Sequence, residues 1–544
     1  MGLDARQGGS SPTPPTRRKA RPRPDGVVSS TPGPVSRPSD HARAPRQPGD
    51  HRPRGGGHRR PIGGEMRASL DPSPQGTRGR TRWIAGLVLI LGTVLSACGV
   101  PHGGNAAPSF PGLSTTPVTF RGDGGVTLHG TVVAPPPGRE RRAAVVLLHG
   151  AGPVTRAEYR NEAEAFARRG IVALVFDKRT AGYSSFHRSY QVLAGDAVAA
   201  TRALRSQPGV DPDRVGIWGL SEGAWVAVLA ANRAPEIAFV ITAGAVGMSP
   251  ARQQAWSYGE FLHHAGVSGS LDHMMQKTGV RQVVGAGLFP EADYDPVPSW
   301  EHLRQPVLAL WGTLDHEAAP RESSQVIQDA LRRGGNTRAA IRFVPDARHN
   351  LHVSANGGFD RPYELAPGSA DLQATWIKTG VATGSTRPPS QSHPTSAVTR
   401  LAPYESPWGQ VAAFALFALA FLGHPLVAAA RRIRRTPLAT PVRRQARLLA
   451  TFGATSVLGG VVYFFFLVFT AANLIGPVIG GQTIPWLILH LLAVATLVTT
   501  VTTAASAWRH RHRLTTGDRV HCGLLLAAGT VFLPWALYWG LLGS

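Results

Sequence analysis

The sequence predicts an α/β domain followed by an all-helical membrane segment, and three observations carry that reading. Short apolar runs alternate with helix-length stretches between residues 118 and 380. Four apolar runs, each longer than the roughly 20 residues needed to cross a bilayer, lie beyond residue 407. Stretches rich in Pro, Gly and Ser set these regions apart. A chain of 544 residues is also too long for one small domain.

Residues 1–82 hold 17 basic and 6 acidic groups, are rich in Pro and Gly, and show no apolar period through residue 65. Such a stretch cannot bury enough surface to offset its ordering entropy, so a disordered basic tail is expected, with Met66 as a candidate start. Arg78, Arg80 and Arg82 then precede the apolar run 83–97. Fifteen helical residues reach only about 22 Å, short of the hydrocarbon core, so residues 83–98 read as an export signal. Its ending, Leu95-Ser96-Ala97-Cys98, resembles a bacterial lipobox, which makes Cys98 the expected lipidation site. Residues 99–117 read as a linker.

The domain 118–380 opens with a hairpin, 118–121 and 126–133, across Gly122-Asp123-Gly124-Gly125. Apolar runs follow at 143–148, 171–176, 215–218, 238–242, 307–311 and 339–344. Runs this short, spaced by stretches such as 156–169 and 194–205, fit parallel strands buried on both faces and joined by helical crossovers. The interval 248–306 exceeds one crossover and reads as a mostly helical lid. Residues 381–407 form a second linker with five prolines.

The membrane runs are 408–430, 448–474, 484–508 and 520–543. They carry His424 and His490 but no Asp, Glu or Lys, which favours anchoring over transport. Gly459-Gly460 and Gly480-Gly481 are candidate points of close helix approach. Connector 431–447 holds seven arginines, 509–519 holds four, and 475–483 holds no charge. Basic loops stay cytoplasmic, so the first run enters from outside and residues 99–407 lie outside, as the export signal also requires.

The chemistry centres on Gly219-Leu220-Ser221-Glu222-Gly223, a Gly-x-Ser-x-Gly between an apolar strand and the helical 224–231. A nucleophile on a sharp strand-to-helix turn needs neighbours with almost no side chain. Upstream, His149-Gly150-Ala151-Gly152-Pro153 closes another strand with a turn that can aim a backbone N–H at an oxyanion. The expected donors are Ala151, with Gly152 as second choice, and Glu222; His149 is expected to be structural. A serine needs a base and an orienting acid. Asp315 lies just past the next-to-last strand and His349 just past the last. The triad is therefore expected at the carboxyl ends of the sheet, where open α/β sheets gather ligands. His352 is the rival base, Glu317 the rival acid, and Asp177 an expected partner of nearby arginines.

Those residues, with Asp177-Lys178-Arg179, Gly182 and Ser184, make this region resemble the α/β-hydrolase superfamily, especially bacterial esterases of the dienelactone-hydrolase and acyl-peptidase-like branch. The resemblance implies an eight-stranded, mostly parallel sheet with a helical cap and a Ser221–His349–Asp315 mechanism. The expected activity is carboxylic ester hydrolysis through an acyl-enzyme, without cofactor or metal; His263, His264 and His273 in the lid are not expected to hold one. Two alternatives stand beside it. One is a serine peptidase or amidase acting on envelope peptides, with Arg179, Trp256, Tyr258 and Phe261 as candidate recognition groups. The other is a non-catalytic extracellular sensing module.

The net charge of +24 sits at the two ends, since residues 83–400 hold 29 basic against 25 acidic groups. That distribution weighs against a nucleic-acid partner and leaves small acyl esters or peptides, and membrane lipid. Only Cys98 and Cys522 are present, so no disulfide framework or four-cysteine zinc site is possible.

Overall fold

The computed structural model describes residues 110–544 apart from 436, 437, 439 and 544. The basic tail with Met66, the signal with Cys98 and most of the first linker lie outside those residues.

Eight strands form one sheet: β1 (Ser114–Arg121), β2 (Thr127–Ala134), β3 (Arg142–Leu148), β4 (Val172–Phe176), β5 (Val210–Leu220), β6 (Val240–Ala243), β7 (Val307–Gly312) and β8 (Ala339–Val344). Their order is β1-β2-β4-β3-β5-β6-β7-β8. β2 runs antiparallel to both neighbours, and the rest are parallel. This is the α/β-hydrolase sheet. β1 starts at Ser114, inside the stretch read as linker. It is an edge strand with few apolar residues, so it leaves little periodicity to read, and an edge tolerates Pro117.

The crossovers are helical. α1 (Arg160–Arg168) follows β3, α2 (Tyr190–Arg205) follows β4, and α3 (Glu222–Arg233) follows β5. The lid between β6 and β7 contains α4 (Pro250–His264), the single turn α5 (Ser270–His273), a π-helical segment Met274–Gly279, α6 (Val280–Gly285) and α7 (Val297–His302). α8 (Pro320–Arg333) joins β7 to β8, and α9 (Ser369–Thr379) closes the domain. Two apolar cores flank the sheet, one built on Val146, Ile217 and Trp311, the other on Leu147, Trp218 and Leu310. Strand alternation sends neighbouring side chains to opposite faces, which is why these strands read as unbroken apolar runs.

Among the described residues, four helices are long and apolar enough to cross a membrane: Pro407–Ile433, Pro441–Phe469, Ile484–Arg509 and Thr516–Tyr538. Gly459 lets the second approach the third, since a Cβ there would lie 2.9 Å from Leu489. Gly480 and Gly481 do something else. With φ of 58° and 80° they form the tight turn of a small hairpin pairing Val478–Ile479 with Gln482–Thr483. His521 faces His424 inside the bundle, their Nε2 and Nδ1 atoms 2.9 Å apart.

The lid does not close over a separate core. Tyr258, Phe261, Leu271, Met274 and Met275 share one apolar cluster with Phe421, Phe464, Leu467 and Trp486 of the spans. Trp486 Nε1 donates to Ser270 Oγ at 3.0 Å, and Ser268 N–H donates to the Gly481 carbonyl at 2.9 Å. These contacts occupy the end of the bundle away from the arginine-rich connectors.

The second linker is a strap rather than a free tether. The His393 carbonyl accepts from Trp256 Nε1 at 3.1 Å, Thr395 Oγ1 from Arg252, and Glu405 from Arg281 at 2.7 Å. Its extended, proline-rich backbone makes few bonds of its own, and side chains of the lid satisfy it instead.

Candidate active site

Ser221 sits at the tip of β5 with φ 53° and ψ −113°, a conformation uncommon for any residue with a side chain. The flanking glycines explain how the chain tolerates it. A Cβ at Gly219 would lie 2.1 Å from the Gly223 carbonyl oxygen, and one at Gly223 would lie 2.5 Å from that of Leu148. Only hydrogen fits at either position, so the pentapeptide spacing is steric in origin. The Ser221 N–H donates to the Ala243 carbonyl at 3.0 Å, tying the turn to the end of β6.

Asp315 and His349 meet as expected. His349 Nδ1 lies 3.0 Å from Asp315 Oδ2, and Asp315 Oδ1 accepts from the N–H groups of Glu317 and Ala318 at 2.8 and 2.9 Å. Burial alone would push this carboxyl up, but His349 and the two backbone donors outweigh it and hold Asp315 below its ordinary value. Burial likewise opposes charge on His349, and Asp315 outweighs it and raises the imidazole above its ordinary value. An ionised Asp315 only accepts, so Nδ1 carries the proton and Nε2 is left with a lone pair.

The end of β6 brings this pair to the serine. Gly244 (φ 57°) leaves room for the imidazole, since a Cβ there would lie 2.6 Å from His349 Cε1. Ser221 and His349 thus flank the Ala243–Gly244 step. No hydrogen bond joins Ser221 Oγ to His349 Nε2 among the described residues, a looseness common where no substrate is bound.

The rivals are engaged elsewhere. His352 Nε2 lies 2.8 Å from Glu162 and its Nδ1 3.2 Å from the Pro362 carbonyl, which fastens the histidine loop to α1. Glu317 pairs with Arg361 at 2.9 Å. His316 binds Glu260 at 2.7 Å and stacks on Phe359. Asp177 caps the Arg156 N–H at 3.0 Å. Arg179 is buried against Asp196 at 2.9 Å, and Trp256, Tyr258 and Phe261 are buried, so none of these four is free to recognise a peptide.

The oxyanion side holds a buried network that sequence reasoning missed. Glu222 is 1% exposed, and its carboxylate accepts from Lys178 at 2.8 Å, Tyr183 at 2.9 Å and Arg188 at 2.6 Å. Lys178 also donates to the Gly150 carbonyl, and Tyr183 accepts the Gly152 N–H at 2.9 Å. The Gly152 donor is therefore spent, which removes the second-choice oxyanion residue. The N–H groups of Ala151 and Glu222 have no partner among the described residues. Burial works against charge on Glu222, but Lys178 and Arg188 outweigh it and hold the carboxyl below its ordinary value. Burial pushes the Lys178 ammonium below its ordinary value, with Glu222 opposing that shift, and Arg188 completes the pairing of the carboxylate. His149 belongs to the core: it packs edge-on against Tyr159 and Phe176, and burial, followed by Lys178, pushes it down to about 3.

Residues 157–366 match the prolyl oligopeptidase family. The chain is 35% identical over 98 residues to the thiohydrolase aneE of Aspergillus aculeatus, covering 17% of this chain and 31% of that one. It is 35% identical over 136 residues to the polyketide transferase claH of Penicillium crustosum, covering 24% and 44%. The chain thus spans less than half the length of the curated relatives it matches. A dienelactone hydrolase from Anabaena variabilis overlays at 19% identity and TM-score 0.31, covering 49% of this chain and 98% of that one. An esterase from Thermogutta terrifontis overlays at 21% identity and TM-score 0.35, covering 52% and 97%. The sheet order is that of the α/β-hydrolase fold, and the family match falls on residues 157–366 within it.

Proposed function

We propose that this chain is a membrane-tethered serine hydrolase that cleaves carboxylic acyl esters. The observation that carries the reading is the Asp315–His349 hydrogen bond of 3.0 Å at the sheet edge where Ser221 stands on its strained turn. His349 Nε2 takes the Ser221 proton as Oγ bonds to the acyl carbon and the carbonyl electron pair moves onto oxygen. That oxyanion is held by the N–H groups of Ala151 and Glu222. Its collapse breaks the carbon–oxygen bond to the leaving group, which receives the proton from Nε2. Water, deprotonated by the same nitrogen, then attacks the acyl-enzyme and frees the acid and Ser221. Asp315 holds the tautomer throughout.

Thioesters fit the same steps with sulfur leaving, and the relatives named as thiohydrolases favour including them among the acyl substrates. The hydrolase domain is read as extracytoplasmic, with Cys98 as the lipidation site. Support for that side comes from its seat on the bundle end opposite connectors 431–447 and 509–519.

The test is a panel of p-nitrophenyl esters, acyl thioesters and peptide anilides offered to the full chain and to Ser221→Ala. Esters or thioesters should turn over, and the variant should lose roughly 10⁴-fold or more. Turnover of anilides alone would move the assignment to the peptidase alternative. Activity retained by the variant would remove Ser221 from the mechanism.

A further inference from the structure

Both arms of the catalytic rim rest on one short stretch of the membrane segment. On the serine side, Arg188 binds the carboxylate of Glu222, the residue after Ser221. Two residues earlier in the same loop, the Phe186 ring meets the Phe469 ring edge-on, centroids 5.9 Å apart. On the acid side, Glu317, whose N–H caps Asp315, pairs with Arg361 at 2.9 Å, and Arg361 donates to Asn473 at 3.0 Å. Phe469 ends the second span and Asn473 lies four residues beyond it. The loops that flank the site therefore rest on residues 469–473, at the end of the bundle away from the arginine-rich connectors.

That level is where water meets hydrocarbon. Trp408 stands at the start of the first span, and Tyr538 and Trp539 end the fourth, aromatic residues at the height of the lid contacts. Trp408 is 56% exposed and Phe469 47%, and Leu474 is also exposed, so apolar surface faces the leaflet next to the catalytic loops. The lid is fastened to the span ends by Ser268, Ser270 and Gln282, the last donating to Tyr538 Oη at 2.6 Å. A lid held in this way does not swing open toward bulk water without breaking those bonds. The 380 Å³ cavity between the lid and α8, lined by Met248, Arg252, Asp295 and Glu322, contains no triad residue.

We infer that the substrate is an acyl ester held in the outer leaflet, reaching Ser221 sideways along the Phe186–Phe469 pair. This rests on the serine-hydrolase reading above and names its substrate class. A leaflet-borne ester is concentrated at the mouth by lateral diffusion, and its acyl chain stays in apolar surroundings as its carbonyl rises to the rim.

The experiment uses the full chain in nanodiscs of non-hydrolysable dialkyl phosphatidylcholine carrying 4-methylumbelliferyl oleate, with the water-soluble butyrate ester as comparison. Oleate turnover should follow its mole fraction in the bilayer at fixed bulk concentration. Replacing both rings, Phe186→Ala with Phe469→Ala, should lower oleate turnover roughly tenfold more than butyrate turnover. A rate that follows bulk concentration alone, or equal losses on the two esters, overturns the inference. Fluorophosphonate labelling of Ser221 runs alongside. Labelled protein without mole-fraction dependence refutes only the leaflet substrate, whereas unlabelled protein refutes the hydrolase reading beneath it.

Discussion

Asp315→Asn is the most informative substitution, because the present hydrogen bonds dictate what the new amide must do. Oδ1 accepts two backbone N–H groups at 2.8 and 2.9 Å, and an asparagine oxygen keeps both. Its NH₂ group then takes the place of Oδ2, 3.0 Å from His349 Nδ1. Two donors cannot face each other, so Nδ1 gives up its proton and Nε2 carries it, leaving nothing to accept from Ser221. The expected fall in kcat is about 10⁴-fold, or about 5 kcal/mol of barrier. Melting temperature should shift little, since the backbone donors stay satisfied. Asp315→Ala, by contrast, orphans both at about 1–3 kcal/mol each and should lower stability as well. The assay is kcat on a p-nitrophenyl ester together with a thermal melt of each protein. An asparagine variant within tenfold of wild type would refute tautomer control by Asp315.

Lys178→Met keeps the stem, leaves Glu222 to Arg188 and Tyr183, and frees the buried Gly150 carbonyl. A loss of about 1–3 kcal/mol follows, roughly 2–12 °C in the melting temperature of the hydrolase domain by scanning calorimetry, with reduced kcat from a loosened Ala151. His149 is buried with its value pushed down to about 3, so the unfolded chain binds a proton there below pH 6.5 that the native state refuses. Its contribution to stability is full above pH 6.5 and lost as pH falls toward 3. His149→Phe should therefore raise the urea midpoint at pH 4, by about 3 kcal/mol in stability relative to wild type, with little change at pH 8. The acid limb of kcat/KM should lie above pH 6.5, because Asp315 raises His349 and the base must be neutral to act. A pH–rate profile with its midpoint below that value would contradict the pairing.

The positions of the candidate nucleophile, acid and base were legible because each sits where a short apolar run ends, and because the glycines around Ser221 are forced by contacts within a few residues. The network of Lys178, Tyr183, Arg188 and Glu222 was not. Its members lie up to 44 positions apart and carry no periodicity, and Asp177-Lys178-Arg179 drew attention to its outer residues rather than its middle one. The docking of the lid on the spans was hidden for another reason: Tyr258, Phe261 and Met274 read as ordinary core, and sequence says that a face is apolar without saying what covers it. The first half of β1 and the docking of the strap 381–407 were missed because extended backbone whose partners lie far along the chain has no local signature. His521 was passed over because it stands at the edge of its apolar run, yet the fold brings it against His424.

The central claim is that Ser221 Oγ is made nucleophilic by His349. Its most direct measurement is the rate of phosphonylation of the full chain by a fluorophosphonate, with the modified peptide identified by mass, in wild type, His349→Ala and His352→Ala. The account predicts adduct on Ser221 in wild type and in the His352 variant if it folds, and virtually none in the His349 variant. Rapid labelling without His349, or an adduct on another residue, would contradict it.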